Sequence, residues 1–138
     1  MIETLVTSDI TTCRALRRVV FIDEQGVSEA DEVDDLDPIA THILATVDGT
    51  PTGCARIVPG KGYAKIGRVC VLAQARGTGL GAILMQATIK EIRRQGYPQA
   101  KLGAQVHALG FYERLGFHPV GDIFDDAGIP HQEMVLDL

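Results

Sequence analysis

The chain has 138 residues, 46% of them apolar, with 13 basic and 18 acidic side chains and a formal charge of -5. That length and apolar content suit one packed domain over residues 1–138 and argue against a disordered or disulfide-stapled chain. An acidic balance supplies no field for the phosphates of a nucleic acid or for anionic headgroups, so neither nucleic acid nor membrane is an expected partner.

The opening residues Met1 to Asp9 carry acids where a signal peptide needs bases, and no later run approaches the length of a membrane span, so a cytoplasmic location is expected. Thr7-Ser8-Asp9 offers side-chain oxygens for a cap, after which Cys13, Leu16 and Val20 recur at helical spacing up to Gly26. A first helix is predicted from about Thr11. Between Glu29 and Asp37 six acids surround only Ala30, Val33 and Leu36, and their self-repulsion predicts a solvated loop or short helix.

Ile43 to Val47 and Thr52 to Val58 are β-rich, and Asp48-Gly49-Thr50-Pro51 between them is turn chemistry for a hairpin. Lys65 to Val71 makes a third strand. Leu80, Ile83, Leu84, Ala87 and Ile92 form an apolar stripe opposite Lys90, Glu91, Arg93 and Arg94, ended by Gly96-Tyr97-Pro98, which predicts a long helix. A strand over Ala100 to Val106 follows, then a helical face of Ala108, Phe111, Tyr112 and Leu115 closed by Gly116. Phe117 to Phe124 and Glu133 to Leu138 read as two closing strands around Asp125-Asp126-Ala127-Gly128. This order predicts an α/β fold, a mixed sheet with helices packed on its faces. Cys13, Cys54 and Cys70 are odd in number, lack a CxxC spacing and fall in apolar segments, as buried thiols of a reducing compartment do. No metal-ligand spacing is present, and the acidic run lacks the glycine and closing glutamate of a calcium loop, so no metal is expected.

The informative run is Gln74-Ala75-Arg76-Gly77-Thr78-Gly79-Leu80-Gly81, between a predicted strand and the long helix. Three glycines within five residues let the backbone turn tightly and aim N–H groups at a ligand, and a helix N-terminus favours negative charge, so a phosphorylated ligand is expected here. Gly77, Gly79 and Ala82 satisfy a dinucleotide GxGxxG/A pattern, but Leu72 to Arg76 intervenes after the strand and Tyr97 to Ala100 holds no acid. A P-loop fails because no Gly-Lys-Ser/Thr follows.

Arg76-Gly77-Thr78-Gly79-Leu80-Gly81 resembles the RxxGxG pyrophosphate-binding motif of the GCN5-related N-acetyltransferase (GNAT) superfamily, and Ala108-Leu109-Gly110-Phe111-Tyr112-Glu113-Arg114-Leu115-Gly116-Phe117 resembles that family's A-xx-FYE-xx-GF segment. Two motifs in order are far more specific than one. The segment Val20-Phe21-Ile22-Asp23-Glu24-Gln25 is similar to the branch that includes the ElaA-like acetyltransferases. The resemblance implies an acyl-CoA N-acyltransferase fold, a mixed, mostly antiparallel sheet with helices on both faces and a central splay.

It further implies acetyl transfer from acetyl-CoA, as cosubstrate, to a primary amine of a small molecule or peptide. Backbone N–H groups from Arg76 through Gly77, Thr78, Gly79, Leu80 and Gly81 would hold the pyrophosphate, with the Arg76 side chain adding charge. The backbone of Val69, Cys70 and Val71 would pair with the pantetheine arm and polarise the thioester carbonyl. Cys70 itself is read as a packing thiol, since no Cys-His motif surrounds it. Tyr112 matches the family tyrosine that reaches the coenzyme sulfur and protonates the leaving thiolate. The proton acceptor for the amine is not legible. Glu24, His42, His107 and His131 are candidates, and Glu24 and His131 are the expected substrate-side residues. Gln105 stands where many members carry asparagine. The family often pairs through its outer strands, so a homodimer is expected. The alternative is a non-catalytic acyl-CoA-binding or regulatory module.

Overall fold

The computed structural model of the chain describes residues 1–138. Seven strands form one sheet: β1 (Ile2–Thr7), β2 (Thr41–Val47), β3 (Thr50–Pro59), β4 (Ala64–Val71), β5 (Gln99–Gln105), β6 (His118–Asp126) and β7 (Ile129–Asp137), in the order β1-β2-β3-β4-β5-β7-β6. All neighbours are antiparallel except β4 and β5, which run parallel. The helices are α1 (Ile10–Arg17), α2 (Glu29–Glu32), α3 (Leu80–Arg94) and α4 (Leu109–Arg114). No helix is long and apolar enough to cross a membrane.

Alternation along the strands assigns the two faces. On β2, Ile43 and Ala45 join the larger core with Leu80, Leu84 and Met85 of α3, while Leu44 turns the other way to meet Cys13, Leu16 and Val20 from the first helical segment. Cys54 and Cys70 belong to that second cluster, their sulfurs 3.5 Å apart. The thiols are therefore buried packing groups, as their apolar surroundings in the chain predict.

Local chemistry explains the boundaries. Asp9 caps α1, its Oδ1 accepting from the Thr12 N–H at 3.1 Å. The β2–β3 loop shrinks to Asp48 and Gly49, both at positive φ (50° and 81°), the primed geometry that suits strand twist. Thr50 and Pro51 are already in β3. Ala127 and Gly128 (φ 53° and 80°) close β6 to β7 in the same way, so β7 starts four residues earlier than Glu133.

Four features differ from the sequence expectations. β1 is an edge strand that pairs with β2 along its whole length; its alternation is weak because Leu5 and Val6 are both exposed. The first helix does not stay α-helical: Arg18–Glu24 is a π-helical turn, which turns Phe21, Glu24 and Gln25 toward a cleft. The buried face of α3 is Leu80, Leu84, Met85, Thr88, Ile89 and Ile92, with Ile83 exposed, because the helix packs across β1 to β4 rather than along one strand.

The fourth difference is the acidic run. The short helix of that expectation is present as α2, behind a Ser28 cap, but the run is not solvated: Glu32 and Asp37 are buried. Arg17, 1% exposed, donates from Nε to Glu32 at 2.7 Å and from both terminal nitrogens to Asp37 at 2.9 Å. Arg14 and Arg56 also reach Asp37, and Arg56 makes a paired contact with Asp34 at 2.7 and 2.9 Å. The arginines cancel the repulsion that the run would otherwise suffer.

Gly53 shows how tightly β3 meets β4. A Cβ there would stand 2.9 Å from the Cys70 carbonyl oxygen. Gly53→Val is expected to lower unfolding free energy by about 1–3 kcal/mol, read from urea unfolding, because backbone rather than a flexible side chain blocks the space.

Candidate active site

The parallel pairing of β4 and β5 holds only at Ala64, Lys65 and Ile66 against Ala100, Lys101 and Leu102. Beyond it the strands part. The splay coincides with a bulge in β4: Cys54 faces Cys70 and Arg56 faces Gly67, so one residue of β3 spans two of β4. Arg68 sits in the bulge at φ 52°, and its Nη2 donates to the Glu32 carbonyl at 3.0 Å and to Asp34 at 3.2 Å. Cys70 and Val71 thus pair with β3 on one side, Val69 lies in the bulge, and all three line the gap on the other side. The gap opens into a cleft of about 860 Å³ that reaches Arg76, Gln105, Tyr112 and His131.

The glycine turn follows directly on Arg76, which lines the cleft. Gly77 and Gly79 adopt φ 77° and 85°, a conformation that would strain any side chain. Gly79 precedes the first turn of α3 and offers no side-chain cap. The N–H groups of Gly77 to Gly81 donate to no backbone carbonyl, which leaves a row of donors at the positive end of a fifteen-residue helix. Leu80 contributes only its backbone, since its side chain is in the core. The Thr78 hydroxyl is committed to the Ala75 carbonyl. Gly81 is small for a different reason: a Cβ would meet the Phe111 ring at 3.4 Å, so this glycine lets α4 approach α3.

Arg76 is engaged across the cleft. Its terminal nitrogens grip both oxygens of Glu24, one of them at 2.8 Å, and its Nε donates to the Val71 carbonyl at 3.0 Å. The guanidinium holds the Glu24 carboxyl below the usual carboxylate range, and Glu24 in turn raises Arg76. Two residues that the sequence assigned to opposite ends of the site therefore form one bidentate pair.

Tyr112, on α4, is 9% exposed and lines the cleft. Phe111 and Phe117 meet its ring edge-on at 5.0 and 5.9 Å, which fixes the ring while leaving Oη with no hydrogen-bond partner in the protein. Burial pushes its pKa up to about 12. The phenol is neutral across the working pH range and available as a donor.

The histidines separate clearly. His42 is buried outside the cleft, its Nε2 donating to the Asp37 carbonyl at 3.0 Å, a structural role. His107 is exposed at the cleft and bonded to the Gln105 side chain at 2.7 Å. Gln105 also donates to the Gln25 side chain at 2.9 Å, bridging the splay from β5 to the end of the π-helical turn. His131 stacks on Phe124 and bonds to its own turn. Arg68, Gln25 and Phe124 line the cleft without having been singled out. Gln25 lies inside the segment quoted for its similarity to the ElaA-like branch, and Arg68 inside the predicted third strand.

The profile of the acetyltransferase (GNAT) domain matches residues 19–138. ElaA of Escherichia coli is 33% identical over 140 residues, 97% of this chain and 91% of that one, and its crystal structure superposes with a TM-score of 0.81 over 99% of this chain and 100% of that. An acyl-CoA N-acyltransferase from Pseudomonas aeruginosa is 30% identical with a TM-score of 0.89 over 99% of both chains. A GNAT-family acetyltransferase from Elizabethkingia anophelis, solved with acetyl-CoA bound, is 17% identical with a TM-score of 0.78 over 99% of this chain and 98% of that, and speaks to the fold alone. A splayed mixed sheet with a glycine turn at its mouth is the framework of an acyltransferase, and the chain belongs to the GNAT acetyltransferase family. Within that family it stands with the ElaA-like branch.

Proposed function

We propose that the protein moves the acetyl group of acetyl-CoA to a primary amine by direct attack. The observation that carries this reading is three elements at one cleft: the open N–H row of Gly77 to Gly81, which follows directly on the lining residue Arg76, the edge of β4 at Val69 to Val71 that β5 leaves uncovered, and the unpartnered Tyr112 hydroxyl. The pyrophosphate would meet the first, the pantetheine amides the second and the thioester sulfur the third. The acetyl-CoA found in the E. anophelis relative of the same fold supports the choice of ligand.

Acetyl transfer requires a donor for the developing oxyanion and one for the departing sulfur. Backbone N–H groups of the β4 bulge supply the former. Tyr112 supplies the latter, because a phenol held at a pKa of about 12 keeps its proton until the thiolate forms. Cys70 takes no covalent part: its sulfur packs against Cys54 in a buried cluster with no histidine beside it.

The test is thermal stabilisation by acetyl-CoA, ATP and NAD, followed by thiol release with lysine, spermidine, tyramine and kanamycin as amines. A ligand at 100 times its Kd stabilises the native state by about 2.7 kcal/mol. A shift with acetyl-CoA alone, lost in Arg76→Glu, is expected, with thiol release in the presence of at least one amine. A preference for ATP or NAD would overturn the reading. Binding of acetyl-CoA with no release to any amine would leave the non-catalytic coenzyme module.

A further inference from the structure

Attack by an alkylamine, whose ordinary pKa is about 10, requires a group that takes the ammonium proton within the complex. Of the candidate bases, Glu24 has both oxygens occupied by Arg76, and His42 lies away from the cleft with its Nε2 committed to Asp37. His107 is exposed, and its Nε2 is engaged by the Gln105 side-chain oxygen at 2.7 Å. His131 differs from all three.

On β5 and β7 the cross-strand pairs alternate between the two faces. Leu102 and Met134 point into the core beneath α3 and α4, so Gln105 and its partner His131 point to the opposite face, the one carrying α1 and the π-helical turn. The hydrogen bond from Gln105 to Gln25 confirms that face. The imidazole is 9% exposed and is held by a stack on Phe124, with centroids 5.9 Å apart and planes at 27°. Its Nδ1 lies 2.7 Å from the Ile129 carbonyl oxygen. A carbonyl can only accept, so Nδ1 carries the hydrogen and the lone pair of the neutral ring is on Nε2. No protein group bonds to Nε2, and the residue lines the same cleft as Tyr112.

We propose that His131 is the general base that deprotonates the acceptor ammonium, an inference that rests on the acetyl-transfer reading above. The first ammonium proton passes to Nε2, and the imidazolium returns it to water. The freed nitrogen lone pair forms the N–C bond at the thioester carbonyl as the C–S bond breaks. The second nitrogen proton ends on the sulfur by way of the Tyr112 hydroxyl, so amide, coenzyme thiol and one released proton complete the balance.

The titratable groups around the ring are Asp125 and Asp126 on β6, Glu133 on its own strand, His107 on the turn after β5, and Glu24 and Tyr112 across the cleft. None hydrogen-bonds to it.

The test is kcat against pH at saturating acetyl-CoA, with whichever of the four amines above turns over fastest. The wild type is expected to lose kcat as falling pH places a proton on Nε2. His131→Gln should lower kcat about 100-fold or more and abolish that limb, while the thermal shift caused by acetyl-CoA stays as in the wild type. A His131→Gln protein with wild-type kcat and the same acid limb would overturn the assignment. Long-range ¹H–¹⁵N spectra of the wild-type imidazole give a second reading that needs no acceptor: the neutral ring should carry its hydrogen on Nδ1, and a hydrogen on Nε2 overturns the proposal. Absence of turnover with every amine tells against acetyl transfer itself, and the spectra still decide the ring.

Discussion

Tyr112→Phe is expected to lower kcat by about two to four orders of magnitude while leaving the melting temperature and the KM for acetyl-CoA close to wild type. The separation follows from the geometry. The ring is packed edge-on between Phe111 and Phe117, contacts that phenylalanine keeps, whereas Oη has no protein partner whose loss could loosen the core. In the proposed mechanism the hydroxyl acts where the C–S bond breaks, so its loss falls on the chemical step. Its own ionisation, pushed up to about 12, puts no basic limb into a profile measured below pH 10. Wild-type turnover in this variant would remove Tyr112 from the mechanism and leave the leaving thiolate to water.

Arg17→Met should produce the largest loss of stability, about 3–5 kcal/mol, measured by chemical denaturation. The substitution leaves the carboxylates of Glu32 and Asp37, both buried, without their shared partner. Acid acts on the same network. Burial alone would raise the Asp37 carboxyl, but hydrogen bonds from Arg17 and Arg14 outweigh it and hold the group well below the usual carboxylate range. A carboxyl depressed in the folded state stabilises above its unfolded pKa near 4, and that contribution is lost as pH falls toward the folded value. The melting temperature of the wild type should therefore decline below about pH 5. Asp37→Asn should start lower and decline less; parallel curves for the two proteins would show that Asp37 carries no special part of the acid sensitivity.

The parts of this molecule that could be read ahead of the structure are those whose meaning is local. Gly77 and Gly79 announce a backbone that only glycine adopts easily, and both have positive φ. Asp9 caps the helix it precedes, and Asp48-Gly49 turns the hairpin it interrupts. The spacing of two motifs carried the family, and with it the splay between β4 and β5. What stayed hidden depends on partners far along the chain. The acids of residues 29–37 look solvated because nothing near them in sequence reveals that Arg17, Arg56 and Arg68 fold over them. Glu24 and Arg76 are 52 positions apart, and neither predicts the other. The π-helical turn of Arg18–Glu24 escapes a 3.6-residue reading because the extra residue per turn is a response to packing rather than to composition.

Under the proposed function, the ion pairs also bear on how an acceptor would meet this protein. Glu32 and Asp34 form part of the cleft wall on the side of α1 and α2, and each is tied to arginines from β3, β4 or α1. Swinging this wall outward would strip Glu32 and Arg17, both buried, of partners that water could not replace at once. The wall is consequently a mould rather than a lid. Under the proposed acetyl transfer, amines would be sorted by fit against a fixed surface, and a change of preference would come from exposed cleft neighbours such as Asp31 and Asp126, which can be replaced without loosening the mould.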